Sequence, residues 1–387
     1  MSHINTIYNQ LLQFISRHHF EKFVKKYKGN HYVKKFNCWH QFTALLYAQI
    51  KGKDSLRDIV TSFNSHSTKL YHIGAGEIKR STIADANNRR DYRIFEELFY
   101  YLLERCKSIT PKHKFKFKNP LYSLDASVID LCLKMFPWAK FRKKKGAIKL
   151  HCLYDHSGSI PTFLVVTDGK QHEIKVTKSL ELPIIADSIT SVDKAYIDFK
   201  WLYSLEQKKA YFVTRAKKNI QYELIGQHKV NSKKGLLFDK TVKLTGFYPK
   251  KDYPKEMRLV GYKDTETGKE YVFLTNNFKL AAHTITQIYK SRWQIEIFFK
   301  WIKQHLKIKS FFGTSKNAVM TQVWIAMCCY LLLAYIKYQT KYSYPLLELS
   351  RIIAETIFER IILIDLLSYN HNNIKRIRSP DLQYSLF

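Results

Sequence analysis

LYSLDASVIDLCL, residues 121–133, is the stretch in which the chain changes from helical to strand periodicity. Side chains alternate across a strand, so Ser123, Asp125 and Ser127 share one face, while Tyr122, Leu124, Ala126 and Val128 share the other. Two more strand-like runs follow, AIKLHCLYD (147–155) and IPTFLVVTD (160–168), as expected for the antiparallel start of a sheet. A helical stretch near 173–186, a short strand ending at Asp193, a helix over DFKWLYSLEQK and a strand over AYFVTR come next. Three strands and then alternating helices and strands predict a mixed α/β domain.

Asp is disfavoured inside strands, so Asp125 in so apolar a run needs a reason: it is either a metal ligand or a solvent-facing residue on a half-exposed sheet. Asp193 ends a strand, where α/β sheets tend to place their sites. Asp198, five residues on, has a simpler use as the N-cap of the helix FKWLYSLEQ. A third carboxylate lies in YKSRWQIEIFFKWIKQHL, residues 289–306. Read as one helix, this segment projects Tyr289, Arg292, Glu296 and Lys303 within about 60° of one another, with Ile295, Phe298, Ile302 and Leu306 on a core-facing side. Glu296 either forms surface ion pairs with Arg292 and Lys300 or belongs to a site bordered by Trp293, Ile297 and Trp301. Three carboxylates can hold two magnesium ions that activate a water or a DNA 3′-hydroxyl and stabilise the leaving oxygen. Hard oxygen donors suit magnesium or manganese, and no His/Cys cluster competes for zinc.

The remainder of the chain narrows the partners. Among 387 residues, 65 Lys and Arg face 32 Asp and Glu, a formal net charge of +33. That balance points to a polyanion, most simply nucleic acid, over a ribosome-associated or membrane-surface role, because the basic residues are spread through regions that are also rich in aromatics. The six cysteines, Cys38, Cys106, Cys132, Cys152, Cys328 and Cys329, form no C-x-x-C pair and read as small buried hydrophobes. MSHINTIYNQLL lacks the features of a signal peptide, and VWIAMCCYLLLAYI (323–336) is short for a membrane span, so a buried core helix and a cytoplasmic, non-membrane protein are expected. GAGEIKRS (74–81) lacks the second Gly and the Gly-Lys-Ser/Thr ending of a phosphate loop, so no nucleotide triphosphate site is implied.

Six segments are expected along the chain. Residues 1–75 form a helical DNA-binding domain with the basic loop FVKKYKGNHYVKK, and 76–118 a helical linker region closed by PKHKFKFKNP. Helices over 56–64 and 81–95, with Ser81 as N-cap and RSTIADANNRR against DNA, are either a helix-turn-helix or ordinary surface helices. The core occupies 119–220 and 271–340, a β-rich insertion 221–270, and a helical region with dimer contacts 341–387.

Tyr289, Arg292, Glu296 and Lys303 reproduce the Y-(2)-R-(3)-E-(6)-K signature, and on these residues the chain resembles the DDE transposases of the insertion-sequence-four type. YSLDASVIDLCLKMFPWAKFRKKKGAIKLH resembles that family's first-aspartate region and VDKAYIDFKWLYSLEQKKAYFVTRAKKN its second, with Lys194 and Ala195 in place of the commoner Arg and Gly. Residues 1 to about 75 look like the N-terminal domain of unknown function of one subgroup.

The resemblance implies a ribonuclease-H-like catalytic core with an inserted β-rich subdomain, a helical N-terminal domain, and Asp125, Asp193 and Glu296 as ligands of two Mg2+ ions, Mn2+ substituting. It implies that Tyr289, Arg292 and Lys303 hold transposon-end phosphates, with Lys194 beside the second aspartate. Trp293 is either a stacking platform for a displaced base or a core residue. Arg142, Lys143, Lys144, Lys145 and Lys149 are expected on DNA phosphates outside the active site or on a solvated loop. Asp168 and His172, in VTDGKQHEI, are expected to support the metal ligands. The activity implied is cut-and-paste transposition of a bacterial insertion sequence. A homodimer would act on double-stranded DNA in a synaptic complex, through a hairpin intermediate, without a covalent protein intermediate. The rivals are a stand-alone metal-dependent nuclease and a catalytically silent DNA-binding protein.

Overall fold

The computed structural model describes residues 5–142, 145–171, 173–179, 182–306, 308 and 310–368. These fall into two compact units, one built from residues up to 110 and from 302 onward, the other from 111–301.

The first unit is helical. Its elements are α1 (Ile7–Leu12), α2 (Arg17–Lys26), α3 (Cys38–Ile50), α4 (Leu56–Asn64), α5 (Ser67–Leu70), α6 (Arg80–Arg89) and α7 (Arg93–Lys107). Side-chain caps start several of them: Asn37 accepts from His40 N at 3.0 Å and Ser55 from Asp58 N at 3.1 Å. The expected cap at Ser81 is not used, because α6 begins one residue earlier. Asn64 fixes that entry instead, accepting from Ile78 N at 3.0 Å and donating to its carbonyl at 2.9 Å. The connection from α4 to α6 contains α5 and a 3-10 turn over Tyr71–Ile73, far longer than the short turn of a helix-turn-helix. That motif is absent here; α4 and α6 pack as ordinary bundle neighbours.

The second unit contains β1 (Leu121–Leu131), β2 (Lys140–Arg142), β3 (Lys145–Asp155), β4 (Ile160–Asp168), α8 (Glu173–Ser179), β5 (Ile189–Val192), α9 (Phe199–Gln207) and β6 (Tyr211–Arg215). It continues with β7 (Tyr222–His228), β8 (Leu236–Leu244), α10 (Phe247–Asp252), β9 (Met257–Lys263), β10 (Glu270–Thr275), α11 (Ala282–Ser291) and α12 (Trp293–His305), the last of which runs past residue 301. As expected, β1, β3 and β4 form antiparallel neighbours. β5 then pairs parallel to β1, and β6 parallel to β5. Beyond β6 the sheet continues antiparallel through β10, β9, β8 and β7, so the insertion lengthens one ten-stranded sheet. Asp198 caps α9 as read from sequence, accepting from Trp201 N at 2.9 Å.

Alternation along the strands gives the sheet two apolar faces. Tyr122, Leu124, Val192, Phe212 and Leu274 pack with α9, whereas Leu121, Ile189, Val213 and Phe273 pack with Ile285 and Ile288 of α11. Period two therefore carries Asp125 and Asp193 to the α11 face.

The insertion is pinned by a buried ion pair. Arg258 on β9 grips Asp239 on β8 with Nε and Nη2, at 2.8 and 2.7 Å, and spends Nη1 on the carbonyls of Asn277 and Leu280. Both side chains are at most 7% exposed. Asp239→Ala would leave that guanidinium buried and unpaired, and is expected to cost about 3–5 kcal/mol in denaturant unfolding. A loss below about 1 kcal/mol would show that solvent reaches the pair.

After α12 the chain returns to the helical unit as α13 (Lys316–Gln339), α14 (Leu346–Thr356) and α15 (Leu363–Ser368). Among the described residues α13 is the one helix long and apolar enough to cross a membrane, yet 94% of its most apolar window is buried. It packs on α3, α6, α7 and α14, the core helix expected for 323–336. Five cysteines are buried, but Cys132, just past the end of β1, is exposed and corrects the reading of all six as core.

Candidate active site

The parallel register pairs Ser123 with Ser191 and Leu124 with Val192. Continuing it one step sets Asp125 beside Asp193, one strand spacing or roughly 5 Å apart at Cα. Asp193 stands at the head of a 3-10 turn, Lys194–Tyr196, but its carboxylate makes no capping bond there. Both carboxylates lie on the face covered by α11, the helix that delivers Tyr289.

The segment 289–306 is not one helix, as its periodicity suggested. α11 ends at Ser291 and α12 begins at Trp293, with Arg292 between them. The ladder tightens there to i→i+3: Arg292 N bonds to the Tyr289 carbonyl and Ile295 N to that of Arg292, each at 3.1 Å. The residues expected in the core are there, Ile295, Phe298, Ile302 and Leu306 all being at most 3% exposed.

At this break Arg292 bridges two carboxylates. Its Nη1 donates to Asp125 Oδ2 at 2.7 Å and its Nη2 to Glu296 Oε1 at 2.6 Å. Tyr289 OH donates to Asp193 Oδ1 at 3.4 Å, and its ring packs on Phe273 at 4.9 Å. The structure thus gathers Asp125, Asp193, Glu296, Tyr289 and Arg292. Burial pushes the Asp125 carboxyl up to about 6; Arg292 opposes that shift, and Glu296 and Asp193 add to it. Burial alone would lower the Arg292 pKa, but Asp125, Tyr289 and Glu296 raise it above its ordinary value. Arg292 Nε is buried and makes no hydrogen bond among the described residues, which leaves one donor for a ligand.

The donor set is three carboxylates with nothing softer among them, which fits a hard divalent cation. As they stand, no three His, Cys, Asp or Glu side chains among the described residues form a ready metal cage. The Arg292 guanidinium takes the place of a cation between two of the carboxylates, so the residues fit an ion once that guanidinium turns away.

Trp293 is 60% exposed, which removes the core alternative for it. With Tyr289, Arg292, Arg215, Tyr271 and Phe273 it lines a cavity of about 390 Å³ beside the carboxylates. The sequence reading missed Arg215 and Tyr271, whose guanidinium and ring lie 5.0 Å apart. A signal existed: Arg215 ends β6 as Asp193 follows β5, and the pairing of Val192 with Thr214 makes the two neighbours.

The other expected residues fare differently. Lys194 and Lys145 are exposed, and Lys303 stands on the last turn of α12. Arg142 belongs to β2, while Lys143, Lys144 and His172 lie outside the described residues. Lys149 is corrected: it is buried at 7% exposure and its ammonium donates to the Gln171 carbonyl at 2.9 Å, a brace within the fold. Asp168 is corrected as well. Its register with Ile148, against that of Asp125 with Cys152 and Leu164, sets it two strands away and four residues along, roughly 16 Å from Asp125 and beyond reach of the ligands.

The profile described as "Transposase DDE domain" matches residues 116–332, and a domain of unknown function (DUF4372) matches 3–76. A protein named as a transposase in Sinorhizobium fredii is 32% identical over 282 residues, 72% of this chain and 77% of that one. A protein named as the transposase of insertion sequence element IS5377 in Geobacillus stearothermophilus is 29% identical, covering 67% and 68%. A looser likeness, 11% identity and a TM-score of 0.49 over 96% of this chain and 82% of the other, extends to a piggyBac transposase synaptic complex with hairpin DNA; at that level it carries no argument about this chain. The profile spans more than half of the chain and includes all three carboxylates, and the chain belongs to the DDE transposase family.

Proposed function

We propose that this DNA transposase cuts the terminal inverted repeats of its own insertion sequence and joins the freed 3′-hydroxyls to target DNA, with Asp125, Asp193 and Glu296 as the ligands of two magnesium ions. The observation that carries the reading is the convergence of these three carboxylates on Arg292 and Tyr289, where Asp125 within β1 stands beside Asp193 just past the end of β5. Family membership brings divalent-metal dependence. Such ions activate the attacking water or hydroxyl and stabilise the leaving oxygen.

The chain's own groups position the DNA. Arg292, with Nε unspent and its fork on the carboxylates, turns to scissile-strand phosphates, joined by Lys303 and Lys194. Tyr289 donates its hydroxyl to the same backbone; burial holds its pKa up at about 12, so it stays protonated and is no nucleophile. Trp293, exposed and lining the cavity, stacks on a base displaced near the cut. Arg142, Lys143, Lys144 and Lys145 extend the phosphate contacts beyond the site.

The order β4-β3-β1-β5-β6, three antiparallel strands and then two parallel to the first, supports a ribonuclease-H-like core. A homodimer in a synaptic complex, a hairpin intermediate and a cytoplasmic site of action complete the proposal. The test is cleavage and strand transfer of a labelled duplex carrying the element's end, in magnesium or manganese, by wild type and by Glu296→Gln. Wild type should cut and join, and the variant should bind without cutting. A variant that still cuts would return Glu296 to a structural ion pair.

A further inference from the structure

The helical unit holds a charged feature that catalysis does not use. Between Glu21 and Asp54 the chain has no acidic residue, and Lys22, Lys25, Lys26, Lys28, Lys34 and Lys35 fall in the first half of that span. The segment after α2, residues 27–33, forms one wall of a cleft of about 550 Å³, and Thr82, Asp85 and Arg89 of α6 contribute to the other. The acids near the cleft are neutralised within the chain: Asp85 pairs with Arg89 at 2.8 Å and Asp91 with Arg93 at 2.5 Å. Lys28, Lys34 and Lys35 are exposed, and among the described residues none of the three has a carboxylate within ion-pair distance, unlike Lys26, which pairs with Glu97. The local field is positive and unspent.

The backbone of this segment is constrained. Lys28 and Tyr32 are left-handed, at φ 52° and 55°, although neither is glycine. Such residues persist only where their surroundings over-determine them. Here Asn30 Oδ1 accepts from Cys38 N at 2.8 Å, and Arg90 reaches Gln41 Oε1 at 3.2 Å and the Phe36 carbonyl. Gly29 is wedged so that a Cβ would lie 2.6 Å from Ile94 Cδ1 and 2.7 Å from Cys38 Sγ. What this frame holds out is Tyr32, 92% exposed, with the His31 ring centroid 3.9 Å from its own. Held out on this constrained backbone between exposed lysines, the Tyr32 ring is placed to meet a partner without rearrangement of the segment.

We infer that residues 28–35 are a preformed hook for the sugar-phosphate backbone of duplex DNA. Lys28, Lys34 and Lys35 take phosphates, and the Tyr32–His31 pair lies against the sugars and base edges between them. The inference rests on the transposase reading and narrows the DNA binding expected of residues 1–75 to one preformed contact surface. Duplex DNA is favoured over an acidic protein because the cations are lysines on flexible stems interleaved with aromatic rings, and because the family's substrate is DNA.

The test is a metal-free anisotropy titration across salt concentrations with three labelled probes: a duplex carrying the element's end, an unrelated DNA duplex, and an RNA duplex of the end sequence. Wild type is compared with the combined Lys28→Ala, Lys34→Ala, Lys35→Ala variant and with Tyr32→Asn. Each lost phosphate contact removes roughly 0.9 from the slope of log affinity against log salt, so the lysine variant should flatten it by roughly 2 to 3 and bind both DNA duplexes at least about tenfold more weakly at low salt. Asn tolerates the left-handed backbone, so Tyr32→Asn should melt at or above the wild-type temperature while binding the end duplex several-fold more weakly. Unchanged affinity and slope in a lysine variant with wild-type melting would overturn the hook, and if wild type still cuts and joins, the transposase reading stands without it. A larger loss on the RNA duplex than on DNA would overturn the assignment to DNA. Wild type that neither binds nor cuts any duplex would remove the transposase reading and the hook together.

Discussion

Asp125→Asn is expected to lose about a thousandfold or more in cleavage rate while making the protein more stable at neutral pH by about 3 kcal/mol. The first effect follows from removing one ligand charge from a set of three, which forfeits several kcal/mol of transition-state stabilisation. The second follows from burial. The Asp125 carboxyl is raised to about 6 from an ordinary 3.8, because desolvation outweighs the attraction of Arg292. A carboxyl held above its unfolded value binds its proton more tightly in the folded chain. Its contribution to stability is fully present below about pH 4 and is lost as pH rises through about 6; above that, the charged carboxylate costs the folded state about 3 kcal/mol. Asn has nearly the same shape, can still accept from Arg292 Nη1, and carries no such cost. Denaturant unfolding should therefore show wild type weakening between about pH 4 and pH 7 while the variant changes less, the two converging in acid. Equal stabilities at neutrality would mean that the ion pair with Arg292 fully offsets the burial of Asp125.

That trade of stability for chemistry was partly visible in the sequence. An Asp in a strand as apolar as LYSLDASVIDLCL already signals a residue kept against local preference, and period two puts it on one face with Ser123. Asp193 was legible from its place at a strand end, and Asp198 from the helix that follows it. Local patterns failed where the outcome depends on register or on a distant partner. Lys149 looked like one more cation in a basic run until β3 proved central, with β1 on one side and β4 on the other, which buries its stem and turns its ammonium to the Gln171 carbonyl. Asp168 resembled a supporting residue, but only the pairing of β3 with β4 reveals its distance from Asp125. The break at Arg292 has no Gly or Pro to announce it, and a helix-period count runs straight through it. Arg215 required the β5–β6 register before it could be set beside Asp193.

Arg292→Ala is expected to separate the two things this side chain does. The side chain is 13% exposed and holds both Asp125 and Glu296, so it acts as the counter-ion of the site. Its removal leaves neighbouring carboxylates facing one another in a partly buried pocket, and breaking such a pair by deleting one partner costs about 3–5 kcal/mol. The loss should be largest at neutral pH and shrink in acid as Asp125 takes up its proton. A divalent ion should restore the variant's melting temperature by more than it raises that of wild type, because the ion no longer has to displace a guanidinium and anything that binds only the folded state stabilises it. Cleavage should nevertheless remain depressed about a hundredfold or more even in saturating metal, since the phosphate is no longer held for in-line attack. Arg292→Lys should fall between, keeping the charge but losing the two-pronged contact that spans Asp125 and Glu296. Melting curves with and without magnesium, read beside cleavage rates, check all of this. A variant that melts like wild type without metal, and gains no more from it, would show that Arg292 does not stand in for the cation and that the three carboxylates are balanced by other groups.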